Sequence, residues 1–165
     1  MFKPELPNQE QGFTLIEVLV AILIATIFVT VSLQMVVIAA VFKARAKQYS
    51  EATTWIQENL EFVRYQASEY EKSASPYSSK CSATNAADGL ASGLLTDIGG
   101  ASYTTSKTIG GKNFTLTRIG NYTSSSDPYK VLNIDYTVAP DDSGSVIASL
   151  HTEVIPNAAF NCPAQ

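Results

Sequence analysis

Between Phe13 and Phe42 the sequence has no Lys, Arg, Asp, Gly or Pro, and Glu17 is the only charge. Without a breaker the run cannot turn, and without a polar face it is not the surface helix of a globular domain. Other shortages exclude whole classes of chemistry. There are two cysteines and one histidine, with no Cys-x-x-Cys pair and no Cys/His cluster, so neither zinc nor dithiol redox chemistry is suggested. No glycine loop of the phosphate-binding type occurs. Eleven Lys and Arg against 15 Asp and Glu leave a formal charge of −4, which does not suggest a nonspecific nucleic-acid surface.

What fills the run is almost entirely aliphatic and aromatic, with Thr14, Thr26, Thr30, Ser32 and Gln34 as its uncharged polar residues. At helical rise, residues 13–42 cover roughly 45 Å, against a hydrocarbon core of about 30 Å. The stretch is long enough to cross a bilayer and project beyond it. A carboxylate at the bilayer centre costs on the order of 2.5–3.5 kcal/mol, and less near an interface. Glu17 therefore either stays close to the headgroups or meets a positive partner.

The residues before it bear on that choice. Residues 1–12 form a short polar leader with two prolines and no apolar run, unlike a conventional secretory signal. Gly12 is followed by Phe13, and Glu17 is the fifth residue after the glycine. This pattern resembles the class III signal of type IV pilins and type II secretion pseudopilins. The resemblance implies that a membrane-embedded prepilin peptidase cuts after Gly12 and that the new terminal residue, Phe13, is N-methylated. It also implies that Glu17 meets the amino terminus of a neighbouring subunit when the helices bundle into a filament. A carboxylate and an ammonium attract far more strongly at low dielectric than in water, so this supplies the missing partner.

Residues 43–72 again contain no Gly or Pro. Apolar or small side chains recur every three or four positions at Phe42, Ala46, Tyr49, Ala52, Ile56, Leu60, Val63, Ala67 and Tyr70. That spacing predicts a helix with one apolar stripe, flanked by Trp55 and Phe62. Joined to the span, it predicts one helix from about Thr14 to about Lys72, near 90 Å long. Ser73 to Asn85 reads as a loop, and residues 86–98 as a short helix weakened by Gly89 and Gly93.

Four strands are predicted next. Ser102 to Ile109 and Lys112 to Ile119 are joined at Gly110-Gly111, a two-residue hairpin signal. Tyr129 to Val138 alternates, with Leu132, Ile134, Tyr136 and Val138 on one face. Ser145 to Ile155 follows a Pro-Asp-Asp-Ser-Gly turn, with Val146, Ala148, Leu150 and Val154 inward. The expected class is α+β, with the helix stripe on one face of an antiparallel sheet of about four strands. This is the layout of the type IV pilin fold. Its expected segments are leader 1–12, a transmembrane and assembly half 13–42, and a soluble head 43–165.

Cys81 and Cys162 bracket most of the head, and an even cysteine count in a chain that leaves the cytoplasm favours a disulfide between them. No catalytic site, metal or cofactor is expected. His151 sits on the outward face of its strand beside Ser149 and Glu153, with no nucleophile turn or oxyanion hole suggested. Asp141, Asp142 and Asp127 match turn chemistry better than a calcium loop, which needs more spaced oxygen ligands. The sequons at Asn113 and Asn121 are read as accidental in a chain with a bacterial-type processing signal.

The function implied by the resemblance is structural: a minor pilin or pseudopilin held in the inner membrane, its C-terminal domain periplasmic, until it enters a pilus or pseudopilus. Its partners would be other pilin subunits, prepilin peptidase, an inner-membrane assembly platform and, before assembly, lipid. Many major pilins carry a proline about two-thirds along the span, where this chain has Gln34, so a minor role is favoured. Tip pseudopilins of one class lack the glutamate, so Glu17 argues against that class. DNA binding or surface adhesion through the loops after Ser73 and Asn121 stays open. Lys43, Arg45 and Lys47 beyond the span oppose the periplasmic orientation by the positive-inside rule. The rival reading is a single-span anchor carrying a binding or sensing domain that does not polymerise.

Overall fold

The computed structural model describes residues 12–73, 78–123, 127, 129–142 and 144–162. Its first element is a single continuous helix, α1 (Leu15–Ser73), within one residue of the expected bounds at each end. The chain divides into two units, Met1–Lys43 and Ala44–Gln165. Over its described residues the first unit is helix and its lead-in alone; the second holds the remainder of α1 and all the β structure.

In the second unit, burial along α1 begins at Ala52 and continues through Trp55, Ile56, Leu60, Val63, Ala67 and Tyr70. The expected stripe started earlier, at Phe42, yet Phe42 and Tyr49 are exposed. For Tyr49 the reason is which side of the helix meets the sheet. Its first hairpin turn comes up beside Gln48, whose amide would lie 3.3 Å from a Cβ placed on Gly110. Trp55, expected to flank the stripe, belongs to the core, while Phe62 remains largely exposed.

Four strands follow: β1 (Ser102–Ile109), β2 (Lys112–Asn121), β3 (Leu132–Pro140) and β4 (Ala148–Val154). They pair antiparallel in the order β1-β2-β3-β4, the simplest meander. Gly110 and Gly111 both have positive φ, 58° and 81°, the requirement of a two-residue turn whose twist matches the strands. Leu116, Leu132, Ile134, Tyr136 and Val138 close the core against α1.

Five strand ends differ from expectation. Strand β3 runs on to Pro140, the partner of Phe114, and β4 stops one residue short, at Val154; the other three have reasons of their own. Strand β2 runs two residues further because Gly120 and Asn121 pair with Ile134 and Asn133. Strand β3 begins at Leu132, since Tyr129 and Lys130 form a turn and the Tyr129 carbonyl accepts the Ala91 N–H. Strand β4 begins at Ala148, the partner of Val138; Val146 lies before the ladder and is exposed instead of inward.

Among the described residues, two short α-helices and a 3-10 turn, Ala86–Asp88, connect α1 to the sheet. The first, α2 (Ser78–Cys81), falls within the stretch expected to be a loop, of which residues 74–77 lie outside the described residues. The second, α3 (Leu90–Asp97), buries Leu90, Ala91, Leu94 and Leu95 in the core. Gly93 is tolerated there for a packing reason: a Cβ on it would overlap the Tyr70 hydroxyl and lie 2.8 Å from Cζ of that ring. A disulfide joins Cys81 at the end of α2 to Cys162, with 5.4 Å between Cα atoms and a sequence separation of 81. It ties the C-terminal turn, Asn157–Asn161, to the helical connection.

Candidate processing and assembly site

Thr14 stands immediately before α1, and its carbonyl accepts the N–H groups of Glu17 at 3.0 Å and Val18 at 3.2 Å. Its hydroxyl oxygen also accepts the Glu17 N–H, at 3.4 Å. Thr14-Leu15-Ile16-Glu17 is therefore a helix N-terminus of the Ser/Thr-x-x-Glu kind, with Thr14 as N-cap and Glu17 three residues in. The pattern is present in the sequence, though it does not emerge from reading Glu17 as a membrane charge alone. It places the carboxylate in the first turn, where the partial positive charge of the helix terminus favours it.

The residues flanking the expected cut are open. Gly12 has nothing within 4 Å of a would-be Cβ, and Phe13 is 81% exposed. The described chain therefore imposes no steric demand for glycine at position 12. From Phe13 to Phe42 every residue is exposed, on all sides of the helix. A helix apolar all round is soluble only when covered by protein or lipid. Within it the hydroxyls of Thr26, Thr30 and Ser32 each donate to a carbonyl three or four residues back, at 2.8 Å. These three hydroxyls thus hide their donors in the backbone and do not oppose insertion into an apolar medium. Helix α1 contains a stretch long and apolar enough to cross a membrane, none of it buried in the protein.

Residues 7–33 match the model of the prokaryotic N-terminal methylation motif. The chain carries the signature of prepilin-type precursors. This signature spans the expected cut, the cap and the apolar run as far as Leu33. A long N-terminal apolar helix with a four-stranded antiparallel sheet is the arrangement of the type IV pilin fold. No curated protein and no solved structure matches the chain significantly. The leader up to residue 11 lies outside the described residues.

Away from the prepilin-type signature, the polar groups of the head sort into surface chemistry and one buried network. His151 Nδ1 and Asp135 Oδ1 are 2.7 Å apart across β4 and β3, both well exposed. Asp141 accepts a hydrogen bond from Thr115 at 2.6 Å, Asp142 lies 3.5 Å from Lys112, and Asp127 lies 3.9 Å from Lys130. Among the described residues, no group of three or more His, Cys, Asp or Glu is placed to hold a metal ion.

The buried network was not anticipated. Arg118, only 1% exposed, donates through Nη1 to Asn59 Oδ1 at 3.1 Å and through Nη2 to the Ile98 carbonyl. Tyr136 donates to the same Asn59 oxygen at 3.1 Å. Burial pushes the Tyr136 hydroxyl above its usual pKa, partly opposed by the nearby Arg118 cation. The signal was available in the period of β2: Phe114, Leu116, Arg118 and Gly120 share one face, so an arginine falls inward among core residues.

Proposed function

We propose that this chain is a structural subunit of a type IV pilus-like filament, a minor pilin or pseudopilin, and that its segments are leader 1–12, assembly half 13–42 and head 43–165. The methylation motif over residues 7–33 carries this reading, because it runs directly into a capped, fully exposed apolar helix. Prepilin peptidase cleaves after Gly12, and Phe13 becomes the N-methylated first residue. Before assembly the apolar half of α1 rests in the inner membrane with the head on the periplasmic side. Assembly then moves that half from lipid into a bundle of like helices, one apolar environment for another, so extraction does not expose it to water.

Glu17 sets axial register in this mechanism. In the monomer its carboxylate has the helix terminus as a weak partner, worth about 0.3–1 kcal/mol. In a bundle, the ammonium of a neighbour's Phe13 offers a full positive charge in a medium that screens it little. The gain exists only when the two helices are offset so that the charges meet. The disulfide Cys81–Cys162 holds the head against unfolding outside the cytoplasm.

The deciding experiment is mass spectrometry of the amino-terminal peptide from the membrane fraction and from sheared filaments of the native host. A chain beginning at N-methylated Phe13 in both fractions is the expected result. An intact Met1 leader in the mature pool would refute the filament reading in favour of an anchored monomer. Glu17→Ala is expected to leave cleavage intact and remove the protein from filaments; normal incorporation would remove the register role.

A further inference from the structure

A cleft of about 430 Å³ opens beside α1, bounded by Asn59 and Phe62, by Asp97 and Ile98 at the end of α3, and by Tyr103 and Arg118 of the sheet. That volume is in the range of small-molecule sites, and its make-up is theirs too: apolar and aromatic walls with a few convergent polar groups.

Arg118 gives the cleft its chemistry. Both of its protein acceptors, Asn59 and the Ile98 carbonyl, are neutral. Among the described residues no carboxylate forms an ion pair with it, and its buried Nε has no hydrogen-bond partner. A desolvated guanidinium without a counter-charge, and with one donor unused, is unfavourable. The unused Nε–H leaves one edge of the guanidinium with a donor to give, and a carboxylate is the acceptor with which arginine pairs most strongly. Asp97 supplies the second charge, exposed at the rim of the same cleft. A simple anion would be drawn to one end and repelled at the other; a small zwitterion matches both. Phe62 at 45% exposure and Tyr103 at 38% leave aromatic surface open for an apolar body.

We propose that this cleft binds a free α-amino acid with an apolar side chain. The carboxylate takes the Nε edge of Arg118, the ammonium faces Asp97, and the side chain lies along Phe62 and Tyr103. Access is controlled by Tyr103, whose ring covers the guanidinium with its centroid 4.9 Å from Cζ. Tyr103 is on β1, at the edge of the sheet among the described residues, so a change of rotamer uncovers the guanidinium without breaking the sheet. The site draws on no residue of the methylation motif and stands or falls independently of filament assembly.

Isothermal titration calorimetry on the full chain in detergent micelles tests this with three probes: L-phenylalanine, 3-phenylpropionate, which lacks the ammonium, and phenethylamine, which lacks the carboxylate. L-Phenylalanine should bind one to one, and each analogue should bind about tenfold more weakly or worse. Asp97→Asn, an exposed substitution, should weaken L-phenylalanine by about tenfold while leaving 3-phenylpropionate no weaker. Because replacing buried Arg118 also disturbs packing, Phe62→Ala is the second variant. It should weaken L-phenylalanine without lowering the unfolding midpoint of the empty protein by more than a degree or two. No heat with L-phenylalanine at millimolar concentration would overturn the proposal. Binding indifferent to Asp97→Asn, or 3-phenylpropionate bound as tightly as L-phenylalanine, would overturn it equally.

Discussion

Replacing Gly93 by alanine sets two physical effects against each other, and the structure says which wins. Within α3 the exchange gains about 1 kcal/mol of helix propensity. Against that, the new Cβ would overlap the Tyr70 hydroxyl and sit 2.8 Å from Cζ, with Lys80 Nζ 3.2 Å away on another side. Tyr70 is 3% exposed, fixed on the buried stripe of α1, so its rigid ring has little room to withdraw. Overpacking costs typically 1–3 kcal/mol, and an overlap with a ring that cannot withdraw belongs in the upper part of that range, about 2–3 kcal/mol. We expect a net loss of about 1–2 kcal/mol, and at roughly 4 °C per kcal/mol for a domain of this size, a midpoint lowered by about 4–8 °C. Trp55, the only tryptophan and a core residue, reports head unfolding by its fluorescence even while the apolar half of α1 stays helical in detergent. The control is the same exchange in a Tyr70→Phe background, where the overlapping oxygen is gone and the 2.8 Å approach to the ring carbon and the looser one to Lys80 Nζ remain. There Gly93→Ala should cost less than half as much. If alanine raised the midpoint equally in both backgrounds, helix propensity would dominate and the packing argument for Gly93 would be wrong.

Gly12→Val should abolish processing and leave an intact leader on immunoblots, with the Trp55 unfolding transition unchanged, because nothing in the described structure contacts position 12. Converting both Cys81 and Cys162 to alanine should lower head stability by roughly 4 kcal/mol in the chain-entropy model, read as a shift in the denaturant midpoint; reducing agent should reproduce that shift in the native chain and have no effect on the variant. The hydroxyls of Tyr70 and Tyr136 are held above their usual pKa of 10.0, chiefly by burial. The folded state therefore keeps those protons longer than the unfolded chain, and stability present below about pH 10 should fall as pH rises through the folded values. Tyr136→Phe should flatten that alkaline fall in a pH series of denaturant midpoints, and an unchanged slope would refute the assignment.

Periodic, unbroken segments were legible because their pattern is local. The run from Phe13 to Phe42 could be read as a helix exposed to an apolar medium without knowing what surrounds it, and β3 could be read from Leu132, Ile134, Tyr136 and Val138 alone. The hairpin at Gly110-Gly111 was equally local, since two consecutive residues with positive φ are what a two-residue turn needs. Gly93 was misleading for the complementary reason. Its propensity weakens a helix, and only Tyr70, 23 positions earlier, explains why a side chain is not wanted there.

The amino-acid sequence alone determined the membrane-length helix, the processing motif, the strand count and the pairing of its two cysteines. Each follows from neighbours along the chain or from an unambiguous count. Tertiary structure decided where the α1 stripe begins to be buried, because that depends on which side of the helix the first hairpin meets. It also brought Asn59, Asp97, Tyr103 and Arg118 to one cleft from four separate elements. Such a constellation has no sequence spacing to betray it: strand register and helix packing, set by burial across the whole head, place those side chains together.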